Sequence, residues 1–149
     1  VTAAVPAPRA SRFEDVDDLT LLACLVWGEA RGETAEGRLA VAWVVRNRRL
    51  HPSPSRFGAT WQAVMLRPYR FSCFLASDPN SRKMLSPTTH GTPEVWRQCY
   101  LAAAAVYFNL SPDPTGGADH YHTAGVAPVW SKGRQPTAVI GHHRFFKLG

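Results

Sequence analysis

The chain has 149 residues, 45% of them hydrophobic, with 7 Phe, 5 Trp and 4 Tyr, which suits one domain with a sizeable core and excludes wholesale disorder. A formal net charge of +6 favours anionic partners such as nucleic acid, acidic membranes or the polymers of a bacterial wall, without choosing among them. Three cysteines (Cys24, Cys73, Cys99) with no CxxC spacing argue against a disulfide framework, and no stretch reaches the ~18 apolar residues of a membrane span.

Residues 1–12 are small, contain proline and lack periodicity, so 1–15 is expected as a flexible arm and 16–149 as a single catalytic domain. No basic region followed by an apolar core marks a signal peptide at this start. Glu14, Asp15, Asp17 and Asp18 lead into a first helix expected over about Val16 to Ala30, where negative charge complements the helix N-terminus. The run Leu19 to Trp27 is apolar nearly all round, which predicts a central, buried helix. Leu22, Leu25, Val26 and Glu29 share one face at spacings of three and four, so Glu29 continues a core stripe. Gly32 is the expected terminator.

Thr34 caps a second helix expected over about Ala35 to Leu50, with Glu33 and Glu36 near its start and Leu39, Ala40, Trp43, Val44 and Asn47 facing inward. Arg46, Arg48 and Arg49 read as a cationic helix end facing water, and Pro52 and Pro54 stop the helix. Residues 51–92 are expected to be irregular, with a short helix from Thr60 to Leu66 and an aromatic turn over Tyr69 to Phe74, and to form one wall of a cleft. Thr92-Pro93-Glu94 opens a helix reaching about Leu110, with Val95, Cys99, Ala102, Ala103, Val106 and Tyr107 on its apolar face. Ser111 to Gly117 is turn-forming. Thr137 to Ile140 and His143 to Lys147 read as a hairpin turning at Gly141-His142. The fold class is mainly α (α+β), with a small β-hairpin element.

Three carboxylates, Glu29, Glu33 and Glu36, stand where two apolar segments meet. Burial, the negative end of the first helix and like charge from Glu33 would each raise the Glu29 pKa. A carboxyl group kept protonated near neutral pH is what glycoside cleavage needs to protonate a leaving oxygen. The competing structural reading pairs Glu29 with Arg31 or Arg38. Glu33, Glu36, Asp113 and Asp119 all remain open as a second carboxylate. His120 and His122 would share one side of a strand and could ligate a metal with Asp119, Cys73 or His90; otherwise one of them faces the cleft. Cys73 with a distant histidine is a weaker nucleophile signal. No phosphate-binding glycine loop or nucleic-acid motif is present.

Trp27 to Glu33, Glu36-Gly37 and Ala40 to Arg48 resemble the cell wall hydrolase family typified by the spore cortex-lytic enzyme of spore-forming bacteria. The resemblance continues in Phe71-Ser72-Cys73, Asp113 to Ala118, His120-Tyr121-His122, Pro128-Val129-Trp130 and Ile140 to Phe146, with Arg70 standing where the family often has glutamine. It implies a lysozyme-like fold related to lytic transglycosylases. It implies cleavage of the β-1,4 bond between N-acetylmuramic acid and N-acetylglucosamine in peptidoglycan glycan strands. Glu29 falls on the family's catalytic glutamate. Glu33, Glu36, Phe71, Ser72, Thr115, His120, Tyr121, His122 and Trp130 fall in its substrate-binding or supporting blocks.

The implied mechanism is a transglycosylase that leaves 1,6-anhydro-muramyl ends, without metal or organic cofactor. A hydrolytic muramidase on the same bond is the nearest alternative, followed by a zinc-dependent amidase and a non-catalytic wall-binding module. The enzyme is expected to be a monomer without nucleic-acid or membrane-spanning function. It is expected to act on the wall in the periplasm or outside the cell, as a phage endolysin released by a holin or carried in a virion.

Overall fold

The computed structural model describes residues 4–68 and 70–149. Residues 1–3, the start of the expected arm, and Tyr69 of the expected aromatic turn lie outside the described residues.

Helix α1 (Asp18–Ala30) starts two residues later than the sequence suggests. Asp17 takes the N-cap, its side chain accepting from the Thr20 N–H at 3.0 Å, and a short 3-10 turn (Phe13–Asp15) occupies the approach. Every residue from Leu21 to Trp27 is buried, so α1 is the central helix predicted from its all-round apolar run. It packs against helices α2 (Ala35–Arg49) and α7 (Pro93–Tyr107). The Thr34 hydroxyl caps α2 by accepting from the Gly37 N–H at 3.2 Å. Ala40, Trp43 and Val44 of the expected inward stripe are buried, and burial spreads to Val41, Ala42 and Val45. The wider burial follows from position: α2 packs against α1 and α7 and also touches the short helices of the 51–92 stretch and the sheet. Helix α7 opens as expected at the Thr92 cap but ends at Tyr107, short of Leu110. Asn109 adopts φ 56°, the left-handed conformation that closes a helix, and the Leu110 N–H returns to the Ala105 carbonyl at 2.7 Å.

The stretch expected to be irregular carries four short helices, α3 (Pro54–Phe57), α4 (Trp61–Leu66), α5 (Asn80–Lys83) and α6 (Pro87–His90), and a 3-10 turn at Ser72–Phe74. It supplies Phe57, Trp61, Val64, Met65, Phe71, Cys73 and Met84 to the core. Most of these elements hold a single turn, too few residues for a periodic pattern to show. The expected hairpin exists as β2 (Ala138–Ile140) and β3 (His143–Phe146). A third strand, β1 (His120–Thr123), pairs antiparallel with the other edge of β3, giving the order β1-β3-β2 and opposing His122 to Arg144.

The expected flexible arm is laid against the helices over its described part. Val5, Ala7 and Ala10 pack on the core, and Trp96 Nε1 donates to the Pro6 carbonyl at 3.0 Å.

Candidate active site

Glu29 occupies the last turn of α1, two residues past the buried Trp27. It is half-buried and forms part of the wall of a cavity of about 180 Å³. Arg48, Arg70, Phe71, Ser72, Tyr121 and His122 line the same cavity. Gly28 makes this wall possible. A Cβ on it would stand 2.8 Å from Met84 Sδ and 3.3 Å from Cys73 Cβ, so only glycine lets the 72–84 segment lie this close to α1.

Burial raises the Glu29 pKa. Hydrogen bonding to the Cys73 thiol and backbone and to the Tyr121 hydroxyl opposes that shift by favouring the carboxylate. The charge that adds to the rise is Asp78, where like charge from Glu33 is the expectation. The group therefore holds a proton to higher pH than an ordinary glutamate, yet has donors waiting for the carboxylate once the proton leaves. The Cys73 thiol pKa is pushed up by burial and by Glu29, which works against the thiolate a Cys-His hydrolase needs.

Glu33 is turned away from Glu29. Its Oε1 accepts from the His142 N–H at 2.8 Å, its Oε2 meets His142 Nδ1 at 2.7 Å, and His143 Nδ1 lies 3.3 Å from Oε1. Burial works against its charge, but the His142 hydrogen bonds prevail and hold its pKa low. Glu33 thus ties the loop after α1 to the β2–β3 turn, at Gly141 with φ +57°, where a Cβ would meet Glu33 Oε1 at 2.7 Å. Of these two histidines only His142 is exposed; His143 is buried, and burial lowers its pKa. Glu36 is exposed in the first turn of α2, where it complements the helix N-terminus.

The strand alternation of β1 divides its three site residues. Tyr121 faces the helices, with its ring 6.4 Å from Phe71 and 5.9 Å from Phe145. His120 and His122 face the other way and meet Trp130 at 5.0 and 5.6 Å between ring centroids. Trp130 also packs on Phe146, so it braces the outer face of the sheet and is absent from the cavity wall. His120 Nδ1 pairs with Asp119 Oδ1 at 2.8 Å, and His122 Nδ1 with the Thr123 carbonyl at 2.7 Å. Among the described residues no group of three or more His, Cys, Asp or Glu side chains converges as a metal site would. His122 still borders the cavity.

Thr115 is fully buried and structural. Its hydroxyl donates to Asp113 Oδ1 at 2.6 Å and accepts from the Ala118 N–H at 3.1 Å, and Asp113 Oδ2 also takes the Asn47 amide at 2.9 Å. These contacts spend Asp113 on the turn after α7. Asp119 is likewise spent: it accepts from His120 and the Leu148 and Gly149 N–H groups, which outweigh burial and hold its pKa at about 2.

Sequence reasoning missed Arg48 and Asp78. Arg48 is buried against the cavity, with Nε donating to the Asp119 carbonyl at 2.6 Å, where a water-facing helix end is the expectation. The readable signal is its spacing from Val41, Val44 and Val45 on one helix face. Asp78 belongs to a turn without periodicity and left no such signal.

A family model described as Cell Wall Hydrolase matches residues 32–146, beginning just after Glu29. The chain is 29% identical over 147 residues to a spore cortex-lytic enzyme of Oceanobacillus iheyensis, covering 98% of this chain and 47% of that protein. It is 28% identical over 138 residues to the spore cortex-lytic enzyme of Halalkalibacterium halodurans, covering 87% of this chain and 34% of that protein. The chain thus spans less than half the length of the curated relatives it matches.

Among solved structures it is similar to the catalytic domain of the germination-specific lytic transglycosylase SleB from Bacillus anthracis. The TM-score is 0.65 and the identity 27%, over 96% of this chain and 100% of that one. The catalytic domain of the Bacillus cereus SleB protein matches with a TM-score of 0.58 and 26% identity, over 95% of both chains. The expected lysozyme-like, mainly helical fold is the one shared with these domains. On the family match over most of its length, this chain belongs to the cell wall hydrolase family.

Proposed function

We propose that this chain cleaves the β-1,4 bond between N-acetylmuramic acid and N-acetylglucosamine in peptidoglycan, as a lytic transglycosylase with Glu29 as its acid and base. The observation that carries the reading is Glu29 itself. It is a half-buried glutamate with a raised pKa, and the one carboxylate among the described residues lining the cavity. Protonated Glu29 gives its proton to the glycosidic oxygen as the bond breaks. The resulting carboxylate, held by the Tyr121 and Cys73 donors, then takes the proton of the muramyl 6-hydroxyl, which closes on C1 to form the 1,6-anhydro ring. The similarity to a catalytic domain described as a lytic transglycosylase supports the same outcome.

Asp78 favours a second reading. It lies near enough to raise the Glu29 pKa, and a muramidase would use such a carboxylate to activate water or hold the sugar cation. Mass spectrometry of digested peptidoglycan separates the two: anhydro-muramyl ends support the transglycosylase, reducing ends the muramidase. Intact glycan chains would sink both.

The enzyme works as a monomer on glycan strands, and no described helix is long and apolar enough to cross a membrane. The relatives it matches are named as spore cortex-lytic enzymes, which lends the endolysin and holin route no support. The site of action is the bacterial wall.

A further inference from the structure

We propose that Arg48 and Arg70 form an anion subsite beside Glu29 that takes a carboxylate carried by the glycan substrate. The inference rests on the glycan-cleaving function proposed above.

Arg48 is only 5% exposed and lines the Glu29 cavity. Its Nε is spent on the Asp119 carbonyl, and its guanidinium is held between Phe57 and Phe71, 5.2 and 4.8 Å from their ring centroids. These contacts fix the plane of the group but use one N–H of five. Nη1 is buried and has no hydrogen-bond partner among the described residues. Donors buried without partners are rare in folded proteins and ask for a specific reason. The carboxylate of Asp119, which could have answered Arg48, is spent on His120, Leu148 and Gly149.

Arg70 is exposed and lines the same cavity, near enough to Arg48 for the two charges to oppose each other. Burial, which outweighs that repulsion, lowers the Arg48 pKa to about 10, so Arg48 still carries its charge at neutral pH. Glu29, the one carboxylate lining the cavity with them among the described residues, is biased toward its neutral form by burial. Two cations and a single carboxylate therefore line the cavity. A planar carboxylate matches the guanidinium fork, and its arrival relieves the repulsion between the two arginines.

The glycan has two sources of that carboxylate. One is the lactyl group on the muramyl ring at the scissile bond. The other is the first free carboxylate of an attached stem peptide, roughly 7 Å farther out along two residues of chain.

The test compares kcat/KM on peptide-free glycan chains with free lactyl carboxylates and on chains with intact stem peptides, each before and after conversion of the carboxylates to methylamides. For the wild type, amidation of the recognised source should lower kcat/KM roughly tenfold, the scale of a lost charge-assisted bond. Loss on the peptide-free chains assigns the lactyl carboxylate, and loss only on peptide-bearing chains assigns the peptide. Arg70→Gln and Arg48→Lys should each bring the ratio toward one. Arg70 is exposed, so its variant carries the test even where the Arg48 variant does not fold. Equal rates before and after amidation from both sources, or an unchanged ratio in Arg70→Gln, would overturn the subsite and leave Arg48 a structural arginine. Failure of the wild type to cleave any chain would overturn the glycan function, and the subsite with it.

Discussion

Replacing Gly28 with alanine tests how closely the cavity wall must approach α1. In a helix interior the exchange alone would stabilise by about 1 kcal/mol. Here the new methyl would stand 2.8 Å from Met84 Sδ and 3.3 Å from both Met84 Cε and Cys73 Cβ, with Met84 fully buried. Overpacking of this kind costs about 1–3 kcal/mol, and the flexible thioether places the cost toward the lower end. The net effect is a loss of no more than about 1 kcal/mol, or a fall in Tm of at most about 2–4 °C for a chain of this size.

The effect on turnover should exceed the effect on stability. Cys73 can yield only by moving the backbone that holds the Glu29 carboxylate, and sub-ångström displacement of an acid should lower kcat roughly tenfold. Thermal unfolding and release of soluble muropeptides measure the two effects. Gly32→Ala, where nothing lies within 4 Å of the added Cβ, is the control and should shift stability by no more than about 0.5 kcal/mol. A Gly28→Ala protein about 1 kcal/mol more stable than wild type with unchanged turnover would refute the reasoning.

Glu29→Gln should lower turnover by roughly 10²- to 10⁴-fold with the fold retained. Because the folded-state pKa of Glu29 lies above the ordinary glutamate value of 4.5, its favourable contribution is complete below that pH and is lost as pH rises through the folded value. Relative to wild type, Glu29→Gln should therefore gain stability between acid and neutral pH; parallel unfolding curves at pH 4 and 7 would contradict this. Glu33→Ala removes the acceptor of two His142 donors and should cost about 1–3 kcal/mol by denaturant unfolding. The Glu33 pKa is lowered, so its contribution is present above 4.5 and fades as pH falls through the folded value. A loss in Glu33→Ala that stayed the same in strong acid would point away from the His142 contact. Asp119→Asn should cost about 2 kcal/mol at neutral pH, from a pKa held at about 2 against 3.8, and the difference should shrink below pH 3.8 and be lost as pH falls through about 2. An Asp119→Asn protein as stable as wild type at pH 7 would show that the Leu148 and Gly149 N–H groups do not depend on the charge.

The helical frame and Glu29 were legible from the chain alone. An apolar run from Leu19 to Trp27 can only be buried all round, Thr34 and Thr92 announce helix starts by capping chemistry, and Glu29 continues a stripe that must face the core. These are properties of neighbours three or four residues apart, which periodicity reports directly.

What surrounds Glu29 was decided by contacts between distant segments. Glu33 looked like a partner of Glu29 and is instead held by His142, 109 residues away. His120 and His122 were both open to a place at the cleft, and pairing of β1 with β3 turned them onto Trp130 while pointing Tyr121 at the carboxyl. Thr115 became a knot in a turn, and Arg48 became a buried cation because β1 brings the Asp119 carbonyl to it across 71 residues. The sequence by itself determined the three long helices and which glutamate ends the central one, because local spacing and burial suffice for both. The tertiary structure decided which groups tune that glutamate, because a pKa depends on the charges and donors packed around it and local spacing does not specify them.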